Sequence, residues 1–436
     1  MIDMLAKYSS ALRENTLLKF SGRVSKIIGL MIESIGPAVE IGEVCDIYPI
    51  KNTQSLKGEV VGFNNDKVLI MPLGDMTGIG PGSRVVATGH ALQVDVSEDL
   101  LGRILDGLGN PIDELGKPSI DKKYPANNDP PNPLFRDKIV EPIPLGIRTL
   151  DTLLTCGRGQ RIGIFAGSGV GKSTLLGMIA KYTKADVNVI ALVGERGREV
   201  REFIENDLGE EGLKRSVVVV ATSDKPALVR VKAALIATSI AEYFRDKGKN
   251  VILMMDSVTR FSMAQREIGL AIGEPPVTRG YTPSVFAVLP RLLERAGNSA
   301  VGSITGLYTV LVDGDDFNEP ISDAVRGILD GHIILTRKLA ALGHYPAIDV
   351  LDSASRVMPN IIDEEHLLAS LRFKEILAIY KNSEDLINIG AYAKGTNPHI
   401  DLAITKIDQF NAFLKQRTTE RADYDVSLDR LKEIIK

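Results

Sequence analysis

The sequence predicts an α/β protein with a mostly parallel sheet, preceded by a small β-barrel and followed by a helical domain. Between about 136 and 360, apolar strand-like runs alternate with helical stretches, which is typical of a parallel sheet covered by helices. Residues 20–92 contain short strand-like runs separated by Gly-Pro and Pro-Gly turn signals. Residues 361–436 repeat apolar side chains at helical spacing. A chain of 436 residues is also too long for one ordinary core, so we expect two or three domains.

Composition narrows the functional classes. Apolar residues make up 44% of the chain and charged residues 25%, as in ordinary globular proteins. The net charge of −4 and the lack of a long basic run argue against a polynucleotide partner. The two cysteines, Cys45 and Cys156, are too far apart to indicate a disulfide framework or a zinc site, so the cytosol is the expected compartment. Residues 1–12 lack a signal-peptide core and no run of 18 apolar residues occurs, which predicts a protein that is neither secreted nor membrane-spanning but could work beside a membrane.

The first domain is expected to be all-β. Residues 1–19 read as a short amphipathic helix, which is either a frayed terminus or a docking helix for a partner or a membrane surface. In residues 20–92, apolar side chains from Val24 to Ile32 keep a period of two, and further short runs follow, which suggests a small closed barrel. Such barrels can bind single-stranded nucleic acid on aromatic platforms in a basic groove. This segment has three aromatic residues, and six basic residues against seven acidic ones, so we do not expect that use.

Residues 93–360 form the expected catalytic domain, and 361–436 the helical one. The first part of the catalytic domain, 93–135, is rich in loops. Residues 106–111 are rich in turn-forming residues, and 129–133 form an extended proline-rich linker. The predicted strands of the sheet are 161–165, 187–193, 217–221, 251–255 and 307–312.

A phosphate-binding loop follows the first of these strands. Residues 166–174 read AGSGVGKST and precede a helical run, which is the strand–loop–helix setting of a P-loop. The glycines let backbone N–H groups converge on phosphates, and the helix adds its positive N-terminal end. Alanine at 166, where the consensus has glycine, is small enough to fit. The predicted nucleotide-binding residues of the loop are Gly167, Ser168, Gly169, Val170, Gly171, Lys172, Ser173 and Thr174.

Acidic and basic residues at the ends of these elements are candidates for catalysis. Lys172 supplies charge for the β- and γ-phosphates, and the Ser173 hydroxyl is the expected Mg²⁺ ligand. Asp256 ends a buried strand, where a carboxylate anchors Mg²⁺ from the second shell; the alternative is an ordinary turn aspartate. Glu195 is the candidate for orienting and polarising the attacking water, and Arg196 for a phosphate contact. Spacing alone leaves open that 194–199 is only a solvated charged loop.

Longer motifs carry a resemblance. GERGRE at 194–199, MDSVTR at 255–260 and YPAID at 345–349 resemble the catalytic subunits of rotary F- and V-type ATPases. AQREIG at 264–269, GEPP at 273–276, DGH at 330–332 and SASR at 353–356 resemble more closely the ATPases of type III protein export. Segments 22–36 and 60–73 of the first domain are similar to the flagellum-specific branch, while the injectisome ATPases of virulence systems are close kin. The resemblance runs from about residue 20 to the end and implies a RecA-like P-loop core.

The resemblance also implies roles for individual residues. Lys172, Ser173, Glu195, Arg196, Asp256 and Arg260 match residues that line the catalytic site. Tyr345 matches the aromatic residue that stacks on adenine, although it could be an ordinary tyrosine before a proline. Arg356 matches the arginine finger that a neighbouring subunit inserts toward the γ-phosphate. The C-terminal region around Phe413 and Gln416 is expected to complete the purine pocket. One chain with both Glu195 and Arg356 implies a ring of identical subunits, six by analogy.

The resemblance further implies MgATP as substrate and a site of action at the cytoplasmic face of the inner membrane, near the flagellar basal body. The implied partners are a stator-like regulatory protein at residues 1–19, a coiled-coil stalk in the ring, and the export gate with its chaperones and substrates. Two other hypotheses stay open: a hexameric nucleic-acid motor, and a non-catalytic nucleotide-binding scaffold, against which the presence of Glu195 argues.

Overall fold

The computed structural model describes residues 20–51, 54–312, 316–317 and 319–436. Within these residues the predicted fold class is confirmed: a closed barrel, a large sheet covered by helices, and a C-terminal group of helices. The predicted docking helix, 1–19, lies outside the described residues.

Six antiparallel strands close the N-terminal barrel in the order β1-β2-β5-β4-β3-β6. Side chains that alternate along these strands, such as Val24, Ile32 and Val60, fill its interior because successive residues of a strand point to opposite faces. Met31, Val44 and Met71 instead join the core of the central domain, which fixes the barrel against it. The six strands are Ser21–Ile28 (β1), Met31–Ile35 (β2), Glu43–Tyr48 (β3), Leu56–Asn64 (β4), Lys67–Pro72 (β5) and Arg84–Ala91 (β6).

Residues 93–135 are more ordered than the turn-rich sequence suggests. Gln93–Val96 (β7) pairs with Lys122–Pro125 (β9), and Ile104–Asp106 (β8) becomes an edge strand of the central sheet. These strands of three or four residues are too short to show a period in the sequence.

The central sheet follows the order β17-β16-β10-β15-β13-β11-β12-β8, with the two-residue strand β14 paired to β15. All pairs from β16 to β8 are parallel, whereas β17 is antiparallel to β16. The carboxyl ends of the parallel strands therefore meet at one edge, where open α/β sheets bind ligands. The strands are Arg161–Ala166 (β10), Val187–Val193 (β11), Ser216–Ala221 (β12), Asn250–Asp256 (β13), Gly297–Asn298 (β14), Ser303–Leu311 (β15), Gly331–Leu335 (β16) and Ile348–Ser355 (β17).

Helices cover both faces of this sheet, so strands such as β11 and β12 are buried along their whole length. A short π-helix, Phe203–Leu208, separates α3 from α4. The α-helices of this domain are Arg148–Leu153 (α1), Lys172–Tyr182 (α2), Gly197–Glu202 (α3), Gly209–Lys214 (α4), Ala227–Asp246 (α5), Val258–Ala271 (α6), Pro283–Leu293 (α7), Pro320–Ile328 (α8), Arg337–Ala341 (α9) and Met358–Ile361 (α10).

Three helices form the C-terminal domain: Glu364–Asn388 (α11), Pro398–Leu414 (α12) and Tyr424–Ile435 (α13). Each begins after an Asp or Asn whose side chain accepts a hydrogen bond from a backbone N–H of the first turn. Phe373 and Phe410 stack in the core with ring centroids 3.9 Å apart, and Phe413 is fully buried beside them.

Candidate active site

The P-loop turns from β10 into α2 through two glycines in the left-handed region. Gly169 has φ +78° and Gly171, the residue before the helix, has φ +89°. A side chain at either position would be strained, so the loop can take this path only with glycine there. Ser168 is exposed and Val170 is buried, so the backbone of the loop lies between solvent and core.

Three charged side chains meet at the carboxyl edge of the sheet. Lys172 Nζ lies 2.5 Å from Asp256 Oδ1 and 3.8 Å from Glu195 Oε1. Their side chains are 11% exposed or less, so the charges interact where water screens them weakly. Lys172 begins the helix after β10, Glu195 follows β11, and Asp256 is the last residue of β13. The sequence prediction that these residues share a site is consistent with this geometry, while their catalytic roles stay predictions.

Glu195 is held in a setting that suits a proton acceptor or water-orienting group. Its Oε1 accepts a hydrogen bond from Arg260 Nε at 3.1 Å, and the residue is 8% exposed. Burial, followed by the negative charge of Asp256, raises the pKa of Glu195 to about 7, although Lys172 and Arg260 oppose this. A carboxylate with a pKa near neutral exchanges protons readily at working pH.

Arg196 is not part of the buried cluster. Its side chain is 76% exposed and pairs with Glu199 at 3.3 Å. Glu199 in turn hydrogen bonds to Glu195, and that bond is the main cause that lowers the pKa of Glu199. Arg196 therefore reaches the cluster through Glu199, and its predicted phosphate contact stays a prediction.

The residues present fit a magnesium ion that arrives with a nucleotide. Among the described residues no group of three or more His, Cys, Asp or Glu side chains could hold a metal by itself. Mg²⁺ commonly needs only one or two protein oxygens together with phosphates and water. Ser173 lies in the first turn of α2, and Lys172 and the Thr309 hydroxyl both bond Oδ1 of Asp256.

A cleft of about 840 Å³ opens beside the P-loop, which is a common size for a small-molecule site. Tyr345 lines it, is 46% exposed, and lies 3.5 Å from where a Cβ of Gly171 would be. Thr174 and residues 415–420 also line the cleft. A ring so placed could stack on a base whose phosphates lie in the loop.

That the C-terminal region around Phe413 and Gln416 completes the purine pocket stays a prediction: its residues 415–420 line the cleft, whereas the Phe413 ring does not. This ring is fully buried in the helical core and does not line the cleft, because its neighbours Phe373 and Phe410 draw it into an aromatic cluster. Gln416 does line the cleft, yet its side-chain oxygen accepts from Arg148 N and its nitrogen donates to the carbonyl oxygens of Gly146 and Glu420.

Comparisons with known proteins agree with this geometry. The ATP synthase alpha/beta family matches with its nucleotide-binding domain at residues 146–355 and its beta-barrel domain at 24–89. The T3SS EscN ATPase C-terminal domain matches residues 362–433. The "Flagellum-specific ATP synthase" of Bacillus subtilis is 61% identical over 94% of this chain and 94% of its own length. The "Type 3 secretion system ATPase" of Xanthomonas euvesicatoria is 51% identical over 95% of this chain and 93% of that protein.

This chain belongs to the family of flagellar and type III secretion ATPases. Among solved structures, the assembled ATPase EscN of the enteropathogenic E. coli type III secretion system is similar with a TM-score of 0.90 and 48% identity, covering 95% of this chain and all of that one. EscN in complex with its central stalk EscO gives a TM-score of 0.89 at the same identity. Membership in this ATPase family makes the chain an ATP-hydrolysing enzyme.

Arg356 of this ATPase lies far from the chain's own P-loop. Its backbone N–H donates to Asp330 O at 3.0 Å, and Asp330 N donates to Arg161 O at 2.9 Å, at the start of β10. The P-loop follows the other end of this six-residue strand, about 17 Å away at ~3.3 Å per residue. The Arg356 side chain is exposed at that distant edge.

Sequence reasoning missed two residues beside the site. The Arg337 guanidinium lies 3.0 Å from where a Cβ of Gly167 would be, and the Thr309 hydroxyl donates to Asp256 Oδ1 at 2.8 Å. Arg337 follows β16 and Thr309 lies inside β15, so each reaches the P-loop edge through strand pairing. β15 also contains the buried polar residues Ser303 and Thr305, so no sequence signal singles out Thr309.

Proposed function

We propose that this ATPase hydrolyses MgATP to assist the export of flagellar proteins through a type III apparatus, and that the injectisome of a virulence system is the runner-up. The cluster of Lys172, Glu195 and Asp256 beside the P-loop carries the enzymatic part of the proposal. The choice of flagellar over injectisome export is supported by the 61% identity to the flagellum-specific relative, compared with 51% to the type 3 secretion relative. Deleting the gene distinguishes the branches: loss of flagella with normal effector delivery supports the first, and the reverse result supports the second.

In the proposed mechanism the backbone of residues 167–174 binds the phosphates, and Lys172 leaves Asp256 to contact the β- and γ-phosphates. The Ser173 hydroxyl and Asp256 would hold Mg²⁺, which neutralises charge that develops on the phosphates. Glu195 orients the attacking water and takes part of its proton, while Arg260 holds the carboxylate in position. Tyr345 stacks on the adenine.

Arg356 is proposed to act on the site of a neighbouring subunit. Arg356 lies at the edge of the sheet opposite the P-loop, so it is better placed to reach the nucleotide of a neighbouring subunit than the nucleotide of its own subunit. A homohexameric ring supplies one such residue to every site. EscN was solved as an assembled ATPase, which supports the same arrangement here.

The proposed partners follow from the relatives. EscN binds a central stalk, EscO, so we propose a coiled-coil stalk inside the ring of this ATPase. Residues 1–19 would dock a stator-like regulatory protein, and the ring would face the export gate, its chaperones and its substrates at the cytoplasmic side of the inner membrane. Among the residues that the structure describes, no helix has the length and apolar character needed to cross a membrane.

The first experiment measures ATPase activity per subunit against protein concentration with Mg²⁺ present, alongside sizing at each concentration. A steep rise that follows ring assembly supports shared sites. A fully active monomer would overturn the role of Arg356, and dependence on added polynucleotide would revive a nucleic-acid motor. ATP binding without hydrolysis under any condition would favour the scaffold hypothesis.

A further inference from the structure

Residues 415–420, here called the wall segment, line the nucleotide cleft without belonging to any helix or strand. The segment connects the end of α12 at Leu414 to the start of α13 at Tyr424. Lys415, Arg417 and Thr418 are exposed. Because the wall segment belongs to no helix or strand, helical or sheet hydrogen bonds do not fix its position. Contacts with other parts of the chain must do so.

Arg148 makes three of those contacts. It is the first residue of α1, is 6% exposed, and donates through Nη1 to Phe413 O at 2.9 Å and to Lys415 O at 3.1 Å. Its Nη2 pairs with the Glu420 carboxylate at the other end of the segment. Its backbone N–H donates to Gln416 Oε1 at 2.8 Å. The guanidinium of one buried arginine therefore bonds both ends of the wall segment, and its backbone N–H bonds Gln416, the one buried side chain of the segment.

Three further bonds tie the wall segment to residues next to the P-loop, and one of them runs from Gln416 N to Tyr345 O at 3.0 Å. Gln416 Nε2 donates to Gly146 O at 2.9 Å, just before α1. The Tyr182 hydroxyl, at the end of the helix that begins with Lys172, donates to Thr418 O at 2.7 Å. The wall segment is thus fixed relative to the loop that would hold the phosphates.

We propose that Arg148 is a positioning residue of the nucleotide site, which holds the wall segment at the width that the base and ribose of ATP require. This inference rests on the proposed binding of ATP in the cleft. Arg148 is buried behind the segment and does not line the cleft, so it acts through the wall segment. Because the wall segment is already ordered, ligand binding does not cost the entropy of ordering a loop. Loosening the segment therefore weakens affinity for the part of the ligand that it contacts.

The test compares ligands with and without a base. For R148Q we expect the KM for ATP and the Ki of ADP to rise about tenfold, as for the loss of charged hydrogen bonds. The Ki of inorganic tripolyphosphate, which has neither base nor ribose, should stay within twofold of the unmutated value, and so should kcat. R372Q is the matched control, because Arg372 forms an exposed pair with Glu375 on α11, and all constants should stay unchanged.

An R148Q protein with unchanged constants for ATP and ADP would overturn the proposal, and so would an equal loss of tripolyphosphate affinity, which indicates a generally loosened site. If R148Q does not fold, R148K decides instead, since lysine keeps the charge but has one nitrogen in place of the two that bond Lys415 O and the Glu420 carboxylate. We expect about a threefold rise in the KM for ATP for the loss of one such bond, and no rise would overturn the proposal. Failure of tripolyphosphate to compete with ATP on the unmutated protein would overturn the proposed function itself.

Discussion

Replacing Glu195 by glutamine tests the proposed chemistry most directly. The Gln amide oxygen can accept the same hydrogen bond from Arg260 Nε that Glu195 Oε1 accepts at 3.1 Å. The change therefore keeps the shape of the site and removes a carboxylate that is 8% exposed. Any loss of rate then reports on the charge and proton affinity of this group rather than on packing.

The expected magnitudes follow from the role and the surroundings of the carboxylate. Loss of a group that accepts a proton in the transition state lowers kcat by about 10²–10⁴. Burial and Asp256 raise the pKa of Glu195 to about 7, and the ionised form is the active one, so activity is lost as pH falls through that value. About a tenth of Glu195 is ionised at pH 6 and about nine-tenths at pH 8, so kcat/KM should rise about tenfold between them.

The assay is steady-state hydrolysis by assembled rings from pH 6 to 8, with sizing of every variant. E205Q is the matched control, since Glu205 is an exposed carboxylate that pairs with Arg201 in the same stretch of chain. That variant should keep the wild-type profile. An E195Q protein with more than a tenth of normal kcat, or a wild-type kcat/KM that is flat over this range, would refute the reasoning.

Three further predictions concern other parts of the molecule. R356A should lower kcat of assembled rings about 10³-fold or more without weakening ATP binding; mixing it with subunits that lack the water-orienting carboxylate should restore part of the activity, and no recovery would contradict shared sites. T309V removes the 2.8 Å bond to Asp256, so the Mg²⁺ concentration for half-maximal activity should rise severalfold, while T309S should behave as wild type. K232M leaves the buried Glu59, 2.6 Å from Lys232, without its partner and should reduce the free energy of unfolding by about 3–5 kcal/mol in denaturant titrations. The double variant K232M/E59L should recover most of that loss, and equal destabilisation would argue against a penalty from unpaired charge.

Parts of the site could be predicted because local sequence and sheet topology determine them. The glycines and Lys172 share one strand–loop–helix turn, so their neighbourhood follows from a few consecutive residues. Glu195 follows β11 and Asp256 ends β13, and a parallel sheet must bring those ends to the same edge. The closed barrel follows similarly from a period of two along short strands.

The sequence by itself therefore determined the fold class, the phosphate loop and the acidic residues at the sheet edge. Only the tertiary structure decided that Arg196 points outward, that Phe413 belongs to a core, and that Arg148 holds the wall segment. Arg148 and Gln416 are 268 residues apart in the chain. No period or motif relates such distant positions, because their contact arises from the packing of a C-terminal domain against α1, and that packing is decided by the fold as a whole.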